Sequence, residues 1–200
     1  MKKKLIKIYV VIDVQNDYIE ESTAAEHAYK SILRRLSRIE EKRKADTYVV
    51  LINTTAFPEE PEDEDAEVKM PKCAYGTEGQ DIPKALDRVI RNFNSNQRLL
   101  NIITKLTHGS PMVAATVKDL CTDKDASVEI ELMGLNAETS LVANAIMLGA
   151  AFPWVPIYVE SHRICGRDPE HLEAAIKVME SCGVQWRDEV TEDEECLNKE

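Results

Sequence analysis

The chain has 200 residues, 44% of them hydrophobic and 30% charged, an ordinary composition for a soluble globular protein. That length can bury roughly 70% of the unfolded surface without disulfide staples, so disorder, collagen-like repeats and a disulfide scaffold are excluded. Its 25 Lys and Arg against 36 Asp and Glu leave a net charge of −11, which repels nucleic acid and anionic membrane surfaces alike.

The chain opens Met1-Lys2-Lys3-Lys4, followed by an apolar run to Asp13 that Lys7 interrupts. This reads as a first strand over residues 5–13 with a charged start, and not as a signal peptide. No stretch approaches the roughly 20 apolar residues that a membrane helix needs. A helix follows, with Thr23 and Glu26 in capping-box spacing and Ala25, Ala28, Ile32, Leu36 and Ile39 on one face. Residues 47–54 form a β-branched run, the mark of a strand buried on both faces in a parallel sheet. A second helix opens near Pro83, and a third strand covers residues 99–104. Ser110-Pro111 is an N-cap followed by a first-turn proline. Residues 127–133 alternate as a strand, 139–151 form a small-residue buried helix, and 156–160 form another strand. Asp168-Pro169 caps the last helix, Gly183 ends it, and Val184 to Trp186 can form a short final strand.

Strands alternating with helices predict a three-layer α/β/α sandwich with a mainly parallel sheet of five or six strands. Residues 1–190 read as one domain, and residues 191–200 as an acidic tail. Residues 58–67 hold seven acids among ten positions and read as a solvated loop. The five cysteines are scattered, with no Cys-x-x-Cys pair, which points to reduced thiols in a cytoplasmic protein.

In a parallel sheet, ligands sit beyond the carboxyl ends of the strands. After the first strand comes Asp13-Val14-Gln15-Asn16-Asp17-Tyr18. Lys105 ends the third strand, and Gly134 through Ser140 follow the fourth. A carboxylate, an amine and a hydroxyl therefore stand at strand ends that can converge. Taken singly, a strand-end Asp is commonly a helix cap, and a strand-end Lys commonly points to water.

Four segments occur in order: Asp-x-Gln-Asn-Asp-aromatic at 13–18, Lys-Cys-Ala-Tyr-Gly-Thr-Glu-Gly at 72–79, Lys105 after a strand, and Gly134 to Val142 before a small-residue helix. Together they resemble the isochorismatase-like, or cysteine hydrolase, superfamily, which includes nicotinamidases. The resemblance covers about residues 5–185. It implies an α/β/α sandwich that hydrolyses amide and related C–N bonds of small molecules through an Asp-Lys-Cys triad. Asp13 and Lys105 match the first two members.

The third departs. The superfamily's Gly-x-x-Thr-Asp/Glu-x-Cys motif puts its cysteine six residues after the glycine, where this chain has Ser140; Ala137 replaces the Thr, and Glu138 is kept. The resemblance also implies a cis peptide between Leu135 and Asn136, an oxyanion hole from the N–H groups of Asn136 and Ser140, and a substrate pocket lined by Gln15 and Tyr18. Nicotinamidases carry an Asp-x-His…His metal site after the second strand. Here that stretch is Asn53-Thr54-Thr55-Ala56-Phe57, and Lys72 replaces the usual histidine before the Gly-Thr-x-Gly turn. The expectation is therefore no metal and no other cofactor.

His27 reads as a residue on the solvated side of the first helix and His171 as one in a helix's first turn, while His162, after a strand end, can touch a ligand. Trp154 and Trp186 read as packing or subunit contacts. The Ala-rich helix and the resemblance together imply a homo-oligomer. Two readings stay open: a small-molecule hydrolase with an altered nucleophile, or a catalytically inactive relative that binds a small molecule or serves as an oligomeric scaffold. A nucleotide-binding flavodoxin-like module is disfavoured because no phosphate loop is present.

Overall fold

The structure is a computed structural model that describes residues 3–42, 46–58 and 70–187. Most of the acidic stretch at 58–67 and all of the tail at 191–200 lie outside the described residues. Within them the chain runs β1 (Lys4–Ile12), α1 (Asn16–Ile19), α2 (Thr23–Glu41), β2 (Thr47–Thr54), α3 (Lys84–Ser95), β3 (Leu99–Lys105), α4 (Met112–Cys121), β4 (Ala126–Gly134), α5 (Val142–Ala151), β5 (Ile157–Ile164), α6 (Pro169–Ser181) and β6 (Gln185–Arg187). A π-helical turn, Ala137–Leu141, leads into α5.

The strands form one six-stranded sheet in the order β3-β2-β1-β4-β5-β6, and every neighbouring pair is parallel. Parallel strands need crossovers, and the crossovers put helices on both faces. Alternate residues of β1 divide accordingly. Ile8, Val10 and Ile12 pack with Val113 and Val117 of α4, Leu148 of α5 and Met179 of α6. Tyr9 and Val11 pack with Ile32 and Leu36 of α2 and with Leu86 and Phe93 of α3. The expected α/β/α sandwich is the architecture observed.

Two local expectations are corrected. The cap of α2 is Ser22, whose hydroxyl accepts the Ala25 N–H at 3.1 Å, and not Thr23, which is already helical. Two hydroxyl residues in a row offer the same chemistry, and the extended φ of −159° at Ser22 makes it the cap. β5 runs on to Ile164 because, after a break in register, Ile164 pairs with Gly134. His162 therefore lies within β5, exposed, and does not follow the strand end.

The strand order reverses between β1 and β4: chain growth moves outward from β1 to β3, then returns to β4 on the other side. Such a switch point opens a crevice at the carboxyl ends of the two strands. Gly134 fits that position alone. Its φ is +149°, and a Cβ there would lie 2.0 Å from the Ile12 carbonyl oxygen.

Candidate active site

Asp13 leaves β1 in a left-handed conformation, φ +55°, which aspartate tolerates better than bulkier residues. Its side chain is fully buried at the switch point. The carboxylate accepts hydrogen bonds from Lys105 Nζ at 3.0 Å and from the Thr54 hydroxyl at 2.9 Å. Lys105, the last residue of β3, is 5% exposed. Its ammonium also donates to Thr54 Oγ1 and, at 3.1 Å, to Ser140 Oγ. Three protons thus meet three acceptors, as a buried ammonium requires.

Asp13, Lys105 and Ser140, expected at separate strand ends, converge. Thr54 joins them and was not singled out in the sequence, where it appeared only inside a stretch lacking metal ligands. Its hydroxyl donates to Asp13 and accepts from Lys105, closing a ring of hydrogen bonds. The signal available was its place at the end of the strand between β1 and β3.

Gln15 is buried beside the ring, but its amide is committed to backbone. Nε2 donates to the carbonyls of Thr54 and Gln80 at 2.8 and 2.7 Å, and Oε1 accepts the Thr54 N–H at 2.7 Å. It fixes Thr54. Tyr18 is half-buried. Burial is the main cause that raises its pKa, followed by Cys73 and Asp13. Cys73 lies close by, fully buried. Burial first, then the Asp17 and Asp13 charges, push its thiol up to about 12, so it holds its proton and is no nucleophile at neutral pH.

The turn that carries Ser140 differs from expectation. All peptide bonds among the described residues are trans, so there is no cis bond between Leu135 and Asn136. The chain turns instead through Asn136 in the left-handed region, φ +55° and ψ +53°, a conformation asparagine adopts more cheaply than a non-proline cis bond at about 2.5–4 kcal/mol. The Asn136 carbonyl accepts the Ser140 N–H at 2.9 Å. One of the two N–H groups expected in the oxyanion hole is therefore already occupied. Asn136 Nδ2 lies 3.5 Å from the Asp13 carboxylate.

The stretch in place of the nicotinamidase metal site does not fit zinc. Thr54 is bound into the ring, and the Thr55 hydroxyl accepts from Gln80 Nε2; alcohols and an Asn amide are not the Cys, His and carboxylate donors zinc takes. Among the described residues no three His, Cys, Asp or Glu side chains are grouped to hold a metal. His27, His108 and His162 are exposed, and His171 bonds Asp168 in the first turn of α6.

No protein-family model matches the chain, and no curated protein matches it. Solved structures do. A nicotinamidase/pyrazinamidase from Bacillus subtilis superposes with a TM-score of 0.70 at 19% identity, over 92% of this chain and 100% of that one. An isochorismatase-like hydrolase from Alkaliphilus metalliredigens gives 0.65 at 16% identity, over 98% and 99%. A pyrazinamidase from Pyrococcus horikoshii, solved in complex with zinc, gives 0.61 at 15% identity, over 90% and 98%. The fold of this chain is the isochorismatase-like fold.

Proposed function

We propose that the protein is a hydrolase-type site for amide or related C–N bonds of small molecules, with Ser140 at the nucleophile position. The observation that carries this reading is the Lys105 ammonium placed 3.0 Å from Asp13 and 3.1 Å from Ser140 Oγ at the switch point. In the reaction, Ser140 Oγ attacks the substrate carbonyl carbon, and its proton passes by way of the Asp13 carboxylate to the leaving nitrogen. The tetrahedral adduct collapses, the amine leaves with a proton, and water then cleaves the Ser140 ester.

The residues present serve the first step poorly. Lys105 donates to Ser140 Oγ and so does not take its proton, and a carboxylate is a weak base for an alcohol. A thiol of ordinary pKa about 8.5 beside an ammonium ionises near neutrality and needs no strong base. Ser140→Cys therefore creates or restores turnover, whereas the serine form has little. The test is a panel of small amides, nicotinamide included, assayed with both forms. Robust turnover by the serine form contradicts the base argument, and silence from both forms without ligand binding contradicts the hydrolase reading.

A second reading, a non-catalytic relative that binds a small molecule or acts as a scaffold, is favoured by the occupied Ser140 N–H. Ligand binding without turnover by either form supports it. No helix among the described residues is long and apolar enough to cross a membrane. We further propose a homo-oligomer in the cytoplasm. Ile146 and the alanines at the exposed end of α5 support close helix packing, and sedimentation velocity reads the assembly.

A further inference from the structure

We propose that Asn144 is a positioning residue: it ties the loop that follows Lys105 to the turn that carries Ser140 and thereby sets the approach of the Lys105 ammonium to the Ser140 oxygen. The inference rests on the reading of Ser140 as the nucleophile position. Asn144 lies one helical turn beyond Ser140, fully buried in an otherwise small and apolar helix. Its Nδ2 donates to the Ser140 carbonyl at 2.8 Å and to the His108 carbonyl at 3.4 Å. Its Oδ1 accepts the Ser110 N–H at 3.2 Å.

A buried amide is tolerated only when its polar atoms are partnered. Here two of the three partners lie in the loop between β3 and α4, far away in sequence. The loop is also close-packed on α5: a Cβ on Gly109 would lie 2.3 Å from Met147 Cε and 3.1 Å from Ala143 Cβ. Asp13 and Thr54 hold Lys105 from the β1 and β2 side. Asn144 supplies the polar link from the β3 side to the Ser140 turn, so the Lys105–Ser140 contact is set by two anchors.

A merely structural asparagine would change stability and leave the Lys105–residue 140 contact alone. The test reads that contact without any substrate. In the Ser140→Cys chain, alkylation of residue 140 by iodoacetamide is followed against pH by peptide mass spectrometry, which separates it from the other cysteines. A nearby ammonium lowers a thiol below its ordinary pKa of about 8.5. Lys105 contacts residue 140 directly, Asp13 pairs with Lys105, and Glu138 is on the same turn; a change at Asn144 alters none of these charges.

Asn144→Thr keeps a hydroxyl for the Ser140 carbonyl but is too short for His108 and Ser110. We expect it to raise the midpoint by about one unit, slowing alkylation near neutrality about tenfold, with the far-UV spectrum unchanged. Lys105→Met sets the upper limit of that shift. If Asn144→Thr leaves the midpoint in place while Lys105→Met moves it, the positioning role is overturned. If neither moves it, the reading of Ser140 falls instead. Hydrogen exchange on the unaltered chain tests the tether independently of folding of the variants. The Ser110 amide is expected to exchange at least about a hundredfold more slowly than an unstructured amide, and exchange at the unstructured rate overturns the proposal.

Discussion

Among the described residues charge is buried in two places, and only one of them lies at the strand ends. At the switch point, Asp13 and Lys105 sit at strand ends with hydroxyls on every side, and one of those hydroxyls belongs to Ser140. On the sheet face beneath α2, Glu131 of β4 and Glu160 and Arg163 of β5 are at least nine-tenths buried. There Arg35 reaches Glu131 at 3.4 Å and the Tyr9 hydroxyl at 3.2 Å, while Arg163 pairs with Glu160 and lies 3.6 Å from Glu131. Glu131 and Glu160 of this second cluster lie inside their strands, and the cluster contains no Ser, Thr or Cys. It docks α2 onto β4 and β5. Buried charge is therefore weak evidence of function by itself; strand-end placement and an adjacent hydroxyl are what set the first region apart.

Alkaline titration acts on both regions and has the largest expected effect. Burial pushes the thiols of Cys73 and Cys121 from 9.0 up to about 12. Burial, then the Glu131 charge, pushes Tyr9 from 10.0 up to about 12. A pKa raised in the folded state means that the native chain holds those protons more tightly than the unfolded chain. Their contribution is complete below pH 9 and is lost as pH rises from 9 to about 12. Urea midpoints measured from pH 8 to 11 should fall accordingly. Cys73→Ser should flatten the part of the fall that belongs to the site, and Tyr9→Phe the part that belongs to the sheet face. A flat profile across this range counts against the burial of all three groups.

Lys105→Met comes next, because it strands the Asp13 carboxylate in the crevice. A loss of about 3–5 kcal/mol is expected in chemical denaturation, and adding Asp13→Asn should return much of it. Additive losses in the double variant would mean that the two groups do not interact. Glu131→Gln should cost less, about 1–3 kcal/mol, since Arg163 retains Glu160 and Arg35 retains Tyr9. A loss as large as that of Lys105→Met would erase the distinction between the regions. Glu129→Gln is the smallest change. Its pairs with Lys7 and Arg187 are partly exposed, at 3.4 and 3.7 Å, so less than about 1 kcal/mol is expected.

What could be read from the sequence follows the same division. Strand runs and helix periodicity locate the ends of β1, β3 and β4, and strand ends are where Asp13, Lys105 and the Ser140 turn must lie. The convergence was legible because a parallel sheet brings those ends to one edge. Thr54 was not, since a threonine closing a β-branched run carries no signal of its own. Asn144 was hidden in a small apolar helix, and two of its partners are backbone groups of a remote loop, which no side-chain pattern reports. The left-handed Asn136 and the occupied Ser140 N–H depend on local dihedral choices that sequence spacing leaves open. The resemblance led toward a cis bond there, and the chain turns without one.

Under the proposed function, residue 140 is the position at which the site forms a covalent bond, and the serine oxygen limits it. The most direct measurement is the location of the acyl group after incubation with p-nitrophenyl acetate, read by peptide mass spectrometry on the unaltered chain and on Ser140→Cys. An acetyl group is expected on residue 140 of the Ser140→Cys chain, with its loss when Lys105→Met is added, and almost none on the unaltered chain. Rapid acylation of Ser140 itself, or acylation of the Ser140→Cys chain at any other residue in preference to 140, would contradict it.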